Sequence, residues 1–253
     1  MAESPVAFVC AMPMEAKPLT KRLGLRQTTI GAGPGWSGTL DGRPVVAVVT
    51  GMGTRLAAEG IDRLLSALTP SHVLVVGITG AVDDDTPIGT VVRPARVIDH
   101  ATGREHTHHP LGPGEAEGAL WTTDVITPAS ELPALRAQGV VALDMETAAI
   151  AQACEAQGVP WSVVRAISDR ATDGSVTDDT FHLAHADGTP DPKAVARYFA
   201  RHPGRIPGLL RMGRDASLAA RRAAEAAIRS VAYLPAGSPP PPSGEPPSPG
   251  PPS

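Results

Sequence analysis

The sequence predicts one large α/β domain, in which buried strands alternate with helices. Short apolar runs bounded by glycine, proline or acidic residues recur along the chain, and stretches with helical periodicity separate them. The clearest case is the stretch 140–169, VVALDMETAAIAQACEAQGVPWSVVRAISD, whose pattern of strand, helix and strand predicts a βαβ unit with two adjacent parallel strands. The chain has 253 residues, enough for a substantial core even without its C-terminal tail.

Residues 1–70 supply three predicted strands and two helices. A buried strand at Val6–Ala11 leads through Met12 to Glu15 and then into an amphipathic helix. An Asp-Gly pair at positions 41 and 42 predicts a hairpin turn between the strands 27–40 and 44–50. The glycine turn Gly51–Thr54 precedes a helix at 55–68, but it lacks the third glycine of a dinucleotide-binding fingerprint.

The middle of the chain continues the alternation. A buried strand at His72–Ile78 ends in Thr79, Gly80 and Ala81, small residues that allow a ligand to approach the backbone closely. We expect a long strand at 88–98, a surface loop rich in Gly, Pro and His at 100–118, a strand at 119–126 and a short helix at 130–138.

The C-terminal part changes in composition. Residues 170–192 are polar and rich in turns, as in a lid, and we expect Asp173, Asp178 and Asp179 there to be solvated. Helical patterns follow at 193–201 and 217–233, with a proline-containing linker between them. Of the 27 prolines, 10 lie in the last nineteen residues. We therefore predict a catalytic domain at 1–234 and a disordered Pro-rich tail at 235–253.

Composition excludes several functional classes. The net charge is −4 and the pI is near 6.0, and no basic stripe is visible, which argues against binding to nucleic acid or to an anionic membrane. The N-terminal residues lack the pattern of a signal peptide, and no apolar run approaches membrane length, so we expect a cytoplasmic protein. The two cysteines, Cys10 and Cys154, lie in apolar runs that favour buried free thiols.

Three acidic residues lie at or just after the C-terminal ends of predicted buried strands. Glu146 and Asp169 close the two strands of the βαβ unit, and Glu15 follows the first strand, where it also suits the dipole of a first helical turn. Burying such groups costs free energy unless they are paired, so their positions call for an explanation. Without a serine or cysteine nucleophile pattern, the carboxylates suit acid/base cleavage of a glycosidic bond.

A metal or cofactor is not predicted. Four histidines fall within or beside the Gly/Pro-rich loop, but their spacing is not that of a metal site, and no phosphate-binding loop is present. The four are His100, His106, His108 and His109.

Five sequence patterns resemble the purine nucleoside phosphorylase and nucleosidase superfamily, especially its methylthioadenosine/S-adenosylhomocysteine nucleosidases. The patterns are AMPMEAKPL (11–19), VTGMGTRLAA (49–58), VVGITGAV (75–82), LDMETAAIA (143–151) and VVRAISD (163–169). The resemblance covers most of the stretch 6–169. It implies a three-layer α/β/α sandwich with a mixed central sheet, a small-molecule nucleoside as the substrate, and a homodimer.

The resemblance also implies a role for each matching residue. Glu15 would activate water, Asp169 would protonate N7 of the purine, and Ser168 would orient that aspartate. Met145 would pack on the sugar, and Glu146 would bind the ribose hydroxyls. Thr79 and Gly80 would lie along the sugar and base, and the backbone of Ile126 and Thr127 would read the base. Asp169 would need burial to keep its proton, whereas Glu15 must be ionised.

Water is the expected nucleophile. Phosphorylases of this superfamily place an arginine at the position of Val75 and a glycine at the position of Glu15, and a carboxylate there would repel phosphate. The predicted activity is therefore hydrolysis of an adenine nucleoside such as methylthioadenosine or S-adenosylhomocysteine. A phosphorylase, a futalosine-type nucleosidase and an inactive nucleoside-binding module remain alternatives.

Overall fold

A computed structural model describes residues 3–113, 116–170, 183, 185, 189 and 191–235. This part of the chain forms eleven strands and six α-helices. The strands are β1 (Val6–Cys10), β2 (Arg26–Ile30), β3 (Gly33–Leu40), β4 (Arg43–Val49), β5 (His72–Ala81), β6 (Val91–Val92), β7 (Arg96–Asp99), β8 (Glu105–Thr107), β9 (Ala119–Thr122), β10 (Val140–Asp144) and β11 (Trp161–Asp169). The α-helices are α1 (Pro13–Leu23), α2 (Thr54–Ala67), α3 (Leu132–Ala137), α4 (Thr147–Ala156), α5 (Pro192–Arg201) and α6 (Ile206–Ser230).

The strands form one mixed sheet, in which β5 is the central strand. The order is β2-β3-β4-β1-β5-β10-β9-β7-β8, and β11 pairs with β5 and with the short β6. The pairs β1–β4, β1–β5 and β5–β11 are parallel, whereas β2–β3, β3–β4 and β5–β10 are antiparallel. This mixture agrees with the sheet that the resemblance implies.

Two layers of helices cover the sheet. Successive strand residues point to opposite faces, so Val9 and Val75 join one apolar cluster while Phe8 and Leu74 join the other. The first cluster packs against α2 and α4, and the second against α1 and α6. The predicted three-layer α/β/α sandwich is therefore confirmed.

The Asp-Gly hairpin is also as predicted. Asp41 and Gly42 connect β3 and β4 with positive φ angles of 51° and 82°, and Leu40 pairs with Arg43. Two consecutive residues with positive φ are the requirement of a two-residue hairpin turn, for which Asp-Gly is well suited.

The predicted βαβ unit was wrong in two respects, because its two strands are neither neighbours nor parallel. β11 pairs with β5 from Val73 to Gly80 and so occupies one edge of β5 over that length. The other edge of β5 is shared, first by β1 and then, at Gly80 and Ala81, by β10. Since β5 is long enough to extend beyond β1, it separates β10 from β11 and runs antiparallel to β10.

Three predicted strands were too long. The stretch 27–40 holds two strands, β2 and β3, which pair antiparallel with each other on either side of Gly31 and Ala32. The stretch 88–98 holds two short strands, β6 and β7, which pair with different partners and flank Pro94, a residue that has no amide hydrogen to donate to a ladder. The strand predicted at 119–126 ends at Thr122, so Ile126 and Thr127 lie in the loop that follows β9.

The His-rich segment is more ordered than a surface loop. It contains β8, whose His106 is only 1% exposed and pairs through Nδ1 with Glu155 Oε2 at 3.0 Å. The ring of His108 donates from Nε2 to the carbonyl of Pro94 at 2.7 Å and packs on Trp161. Part of this segment therefore belongs to the sheet.

The last helix begins earlier than predicted. Instead of a linker before residue 217, α6 starts at Ile206 with Pro207 in its first turn, where the missing amide hydrogen costs nothing. Its C-terminal half packs against the sheet through alanines such as Ala219, Ala223 and Ala227, all nearly inaccessible. Small side chains let this helix lie close to the strands.

Two predicted regions lie outside the described residues. These are most of the lid segment, including Asp173, Asp178 and Asp179, and the tail beyond residue 235. Within the ranges that the structure describes, no helix is both long and apolar enough to span a bilayer.

Candidate active site

Gly80 is the point at which the ends of β10 and β11 meet. It pairs with Leu143 of β10 on one side and with Asp169 of β11 on the other. The neighbouring Thr79 joins the same strands, because its Oγ1 donates to the carbonyl of Leu143 at 2.5 Å and its own carbonyl accepts from Ser168 Oγ at 3.2 Å. The segment of Glu146 and the end of β11 are therefore brought together, although their strands are not adjacent.

A buried arginine, Arg165, is the centre of the carboxylate cluster. Its Nη2 contacts Asp144 Oδ2 and lies 3.4 Å from Glu146 Oε2, while its Nη1 lies 3.8 Å from Glu15 Oε1. Nη1 also donates to the carbonyl of Ile78 at 3.3 Å, and the Arg165 side chain is 1% exposed. One guanidinium thus touches three carboxylates from separate parts of the chain.

The sequence interpretation missed both Arg165 and Asp144 as site residues. A signal for Arg165 was present, since it stands within the apolar run VVRAISD, where a charged residue must find a partner. Asp144 closes the strand before Glu146, where the pattern marks only the end of an apolar run.

Glu15 is held by backbone amides through both carboxylate oxygens. Oε2 accepts hydrogen bonds of 2.9 Å from Ala11 and Met12, and Oε1 accepts one of 2.8 Å from Ile78. Burial raises the pKa of Glu15 above its ordinary value, while Arg165 and the three amides oppose that rise. A fixed carboxylate whose pKa is raised toward neutrality suits a general base.

Glu146 lies at the start of α4, between the glycine turn and the arginine. Its Oε1 accepts a 3.0 Å hydrogen bond from the amide of Gly53, which has a φ of 87°. Burial raises the pKa of Glu146 to about 7; Arg165 opposes the rise, and the negative charges of Asp144 and Glu15 add to it. The glycine turn, which has no clear role in the sequence, therefore positions a site carboxylate.

Asp144 is surrounded by donors. It accepts from Thr122 Oγ1 at 2.6 Å and from the amide of Thr147 at 3.1 Å, and it forms short contacts with Thr147 Oγ1 and Arg165 Nη2. Its side chain is 1% exposed, so its oxygens face the protein.

Asp169 is positioned by its neighbour and by a glycine. Ser168 Oγ lies 2.6 Å from Asp169 Oδ1, the contact that the predicted orienting role of this serine requires. A Cβ placed on Gly80 would come within 3.0 Å of Asp169 Oδ2. Glycine at position 80 therefore lets the carboxylate lie against the strand backbone.

The remaining predicted residues are Met145, Ile126 and Thr127. Met145 is half-buried between Asp144 and Glu146, whereas Ile126 is 38% exposed in the loop after β9. That loop is tied to the glycine turn, because Asp124 Oδ1 accepts from the amide of Thr54 at 2.8 Å. Contact of Ile126 and Thr127 with a base stays a prediction.

Among the described residues, no group of three or more His, Cys, Asp or Glu side chains is arranged to hold a metal ion.

A family model and two related proteins identify the same family for this chain. A family model for the phosphorylase superfamily matches residues 5–118 and 115–201. The 5′-methylthioadenosine/S-adenosylhomocysteine nucleosidase of Chromohalobacter salexigens is 33% identical in an alignment of 208 residues, and the match covers 70% of this chain and 88% of that protein. The protein of the same name from Anoxybacillus flavithermus is 29% identical in an alignment of 198 residues, and the match covers 66% of this chain and 85% of that protein.

Solved structures share the fold. The 5′-methylthioadenosine/S-adenosylhomocysteine nucleosidase of Neisseria meningitidis, in complex with methylthio-immucillin-A, matches with a TM-score of 0.65 at 20% identity, over 91% of this chain and 100% of that one. The futalosine hydrolase of Helicobacter pylori matches with a TM-score of 0.67 at 16% identity, over 91% of this chain and 98% of that one. The chain therefore belongs to the phosphorylase superfamily, and within it to the family of the 5′-methylthioadenosine/S-adenosylhomocysteine nucleosidases.

Proposed function

We propose that the protein hydrolyses the N-glycosidic bond of an adenine nucleoside, such as methylthioadenosine or S-adenosylhomocysteine, and releases the free base. Glu15 acts as the base that activates water, and Asp169 acts as the acid that protonates N7 of the purine. Glu146 binds the ribose hydroxyls, and Met145 packs on the sugar. The family to which the chain belongs supports this proposal, together with the geometry of the carboxylates.

One observation carries the proposal: a single short segment of β5 positions both the base and the acid. The amide of Ile78 binds Glu15, and Gly80, two residues later, lies beside Asp169. Two residues of a strand span about 7 Å. That separation suits a reaction in which water attacks one face of the sugar while the base leaves from the other.

The proposed step balances in atoms and protons. Water attacks C1′ as the bond between C1′ and N9 breaks, and the ribosyl centre passes through an oxocarbenium-like state. Glu15 takes a proton from the water, and Asp169 gives a proton to N7, so that adenine leaves as a neutral base. The sugar keeps the new hydroxyl at C1′.

The surroundings of Glu15 favour water over phosphate as the nucleophile. Three backbone amides that would suit an anion already bind the Glu15 carboxylate. The cluster holds three carboxylates against one guanidinium, so a phosphate ion would meet net repulsion there. Position 75, where phosphorylases of the superfamily carry an arginine, is a buried valine.

The experiment is an assay of the purified protein with adenine, hypoxanthine and guanine nucleosides, including futalosine, with and without phosphate. Chromatography then identifies the released base and sugar. We expect adenine and free sugar without phosphate. A strict need for phosphate, with ribose 1-phosphate as product, would make the protein a phosphorylase. Binding detected by thermal shift without base release would make it a binding module.

Two variants assign the roles, each with a matched surface control. Glu15→Gln and Asp169→Asn should each lower kcat by about 10²-fold or more, the typical contribution of a general base or acid. Glu59→Gln and Asp62→Asn change exposed residues of α2 and should leave kcat unaltered. Full activity of Asp169→Asn on an adenine nucleoside would overturn the assignment of the acid.

The domain limits, the assembly and the location complete the proposal. Residues 1–234 form the catalytic domain and 235–253 a Pro-rich tail; in support, Leu234 still packs in the core of the sheet. The protein acts as a homodimer in the cytoplasm, and its two buried free cysteines fit a reducing compartment. Light scattering of the purified chain measures the assembly, and a monomer would contradict the dimer.

A further inference from the structure

The three carboxylates around Arg165 lie at different distances from its guanidinium. Its contact with Asp144 is a direct ion pair, and the same Nη2 also donates to Thr147 Oγ1 at 2.9 Å. Glu146 is at 3.4 Å, and Glu15 at 3.8 Å is near the outer limit of an ion pair. The two glutamates that face the proposed reaction are thus the more distant partners.

The carboxylate oxygens of Asp144 already accept from four donors of the protein, so they are not available to bind a substrate. Two hydroxyls, one amide and the guanidinium surround it, and they come from β9, α4 and β11. Thr122 Oγ1 accepts in turn from the amide of Ala148, so the arrangement is tied to the first turn of α4. A side chain held in this way acts through Arg165, and it is not itself a catalytic residue.

The balance of charge explains why such a residue is needed. A buried guanidinium beside two buried glutamates would, without Asp144, form close ion pairs with both of them. A carboxylate in a close ion pair with arginine is a weak base, because its ionised form is stabilised. It also has fewer lone pairs left for water or for ribose hydroxyls.

We propose that Asp144 is the positioning residue of this site: it holds Arg165 in its closest ion pair, so that the guanidinium orients Glu146 and Glu15 from the longer distances of 3.4 and 3.8 Å. The inference rests on the proposed function, with Glu15 as the base. The raised pKa values of both glutamates agree with it, since Arg165 alone does not offset the effect of burial.

The test is the pH profile of kcat/KM for the full chain and for Asp144→Asn, a nearly isosteric change that removes the charge and replaces one acceptor oxygen by an amide NH2 group. We expect Arg165 to turn to the glutamates. The acidic limb of the profile should then move to lower pH by about one unit, as for a carboxylate newly paired with arginine. We expect kcat on the plateau to fall about tenfold or more, because Glu15 has become a weaker base.

Thr122→Val is the matched control, since it removes a hydrogen bond to Asp144 but keeps the charge. A purely structural role of Asp144 predicts loss of activity in both variants with the acidic limb in place. Our inference predicts a displaced limb in Asp144→Asn only. An unmoved limb in folded, active Asp144→Asn would overturn the inference, whereas failure of the wild type to release a base would overturn the proposed function.

A measurement on the wild type keeps the inference testable should Asp144→Asn fail to fold. Carbon-13 NMR of labelled glutamate side chains follows each carboxyl as the pH changes. At least one glutamate should titrate near neutral pH in spite of the arginine 3.4 Å away. If both site glutamates, assigned with Glu15→Gln and Glu146→Gln, titrate at or below the ordinary value, Arg165 serves them directly and the inference fails.

Discussion

Gly77 lies directly against Glu15: a Cβ built on Gly77 would come within 2.3 Å of Glu15 Oε1. The same Cβ would be 2.4 Å from Arg165 Nη1. Such separations are far shorter than van der Waals contact, so the Glu15 carboxylate and the Arg165 guanidinium occupy the space of one missing side chain. The glycine is therefore a condition for the carboxylate cluster.

Gly77→Ala should consequently disable the site. The methyl group would displace Glu15 and Arg165, and a misplacement of about 1 Å in a catalytic group costs on the order of 10²-fold in rate. Steady-state kinetics measures the loss. Gly208→Ala, at a helix position with nothing within 4 Å, is the control and should retain activity. Wild-type kinetics for Gly77→Ala would contradict the close contact.

Glu146 should make the stability of the fold depend on pH. The unfolded chain releases this proton near pH 4.5, whereas the folded chain holds it until about pH 7. The free energy of unfolding therefore falls as the pH rises through this window, by up to about 3 kcal/mol. Urea unfolding at pH 5 and pH 8 should show this loss in the wild type and a smaller loss in Glu146→Gln. Equal losses in both proteins would contradict the raised pKa.

His72 should have the opposite effect on the acid side. It is buried at the start of β5, and its Nε2 lies 2.8 Å from Ser162 Oγ. Burial first, and then the nearby His108 and His109, lower the pKa of His72 from 6.5 to about 4. The unfolded chain binds this proton first, so the free energy of unfolding falls as the pH drops from 6.5 to 4, by up to about 3 kcal/mol.

His72→Gln should remove much of that acid sensitivity. The comparison is urea unfolding at pH 7 and pH 4.5 for the wild type, His72→Gln and the control His202→Gln, whose histidine is exposed. If His72→Gln loses as much stability on acidification as the other two proteins, the lowered pKa is wrong.

Ser168→Ala should separate activity from stability. Ser168 Oγ contacts Asp169 Oδ1 and the carbonyl of Thr79, so its removal frees the aspartate to rotate. We expect kcat to fall about tenfold, which corresponds to a loss of about 1.4 kcal/mol in the transition state, with little change in the melting temperature. Ser217→Ala, on the exposed side of α6, is the control. An unchanged kcat would show that Asp169 needs no such support.

Much of the fold followed from local patterns. The buried strands, the Asp-Gly hairpin and the helices of the first half were predictable, because apolar period and turn chemistry act over a few residues. The pairing of the strands within the sheet was less predictable. The separation of β10 from β11 depends on how far β5 extends beyond β1, and that is a property of the whole sheet.

The candidate site was predicted in part for a related reason. Glu15, Glu146 and Asp169 stand at strand ends, where the pattern itself marks them. Arg165 lies inside a strand, and only the folded chain shows that three carboxylates converge on it. Its burial within an apolar run was the available signal.

The position of Arg165 on β11 also bears on how the protein folds during synthesis. Glu15 lies near the start of the chain, whereas Arg165 lies on β11, the last of the described strands in chain order. A nascent polypeptide that does not yet include β11 therefore has acidic side chains around Gly77 without the arginine that neutralises part of their charge. Such an intermediate would gain little free energy by burying these acidic side chains, because their negative charges repel one another. We therefore expect the docking of β11 to be the step at which the nascent protein acquires both its final stability and its capacity to bind a nucleoside.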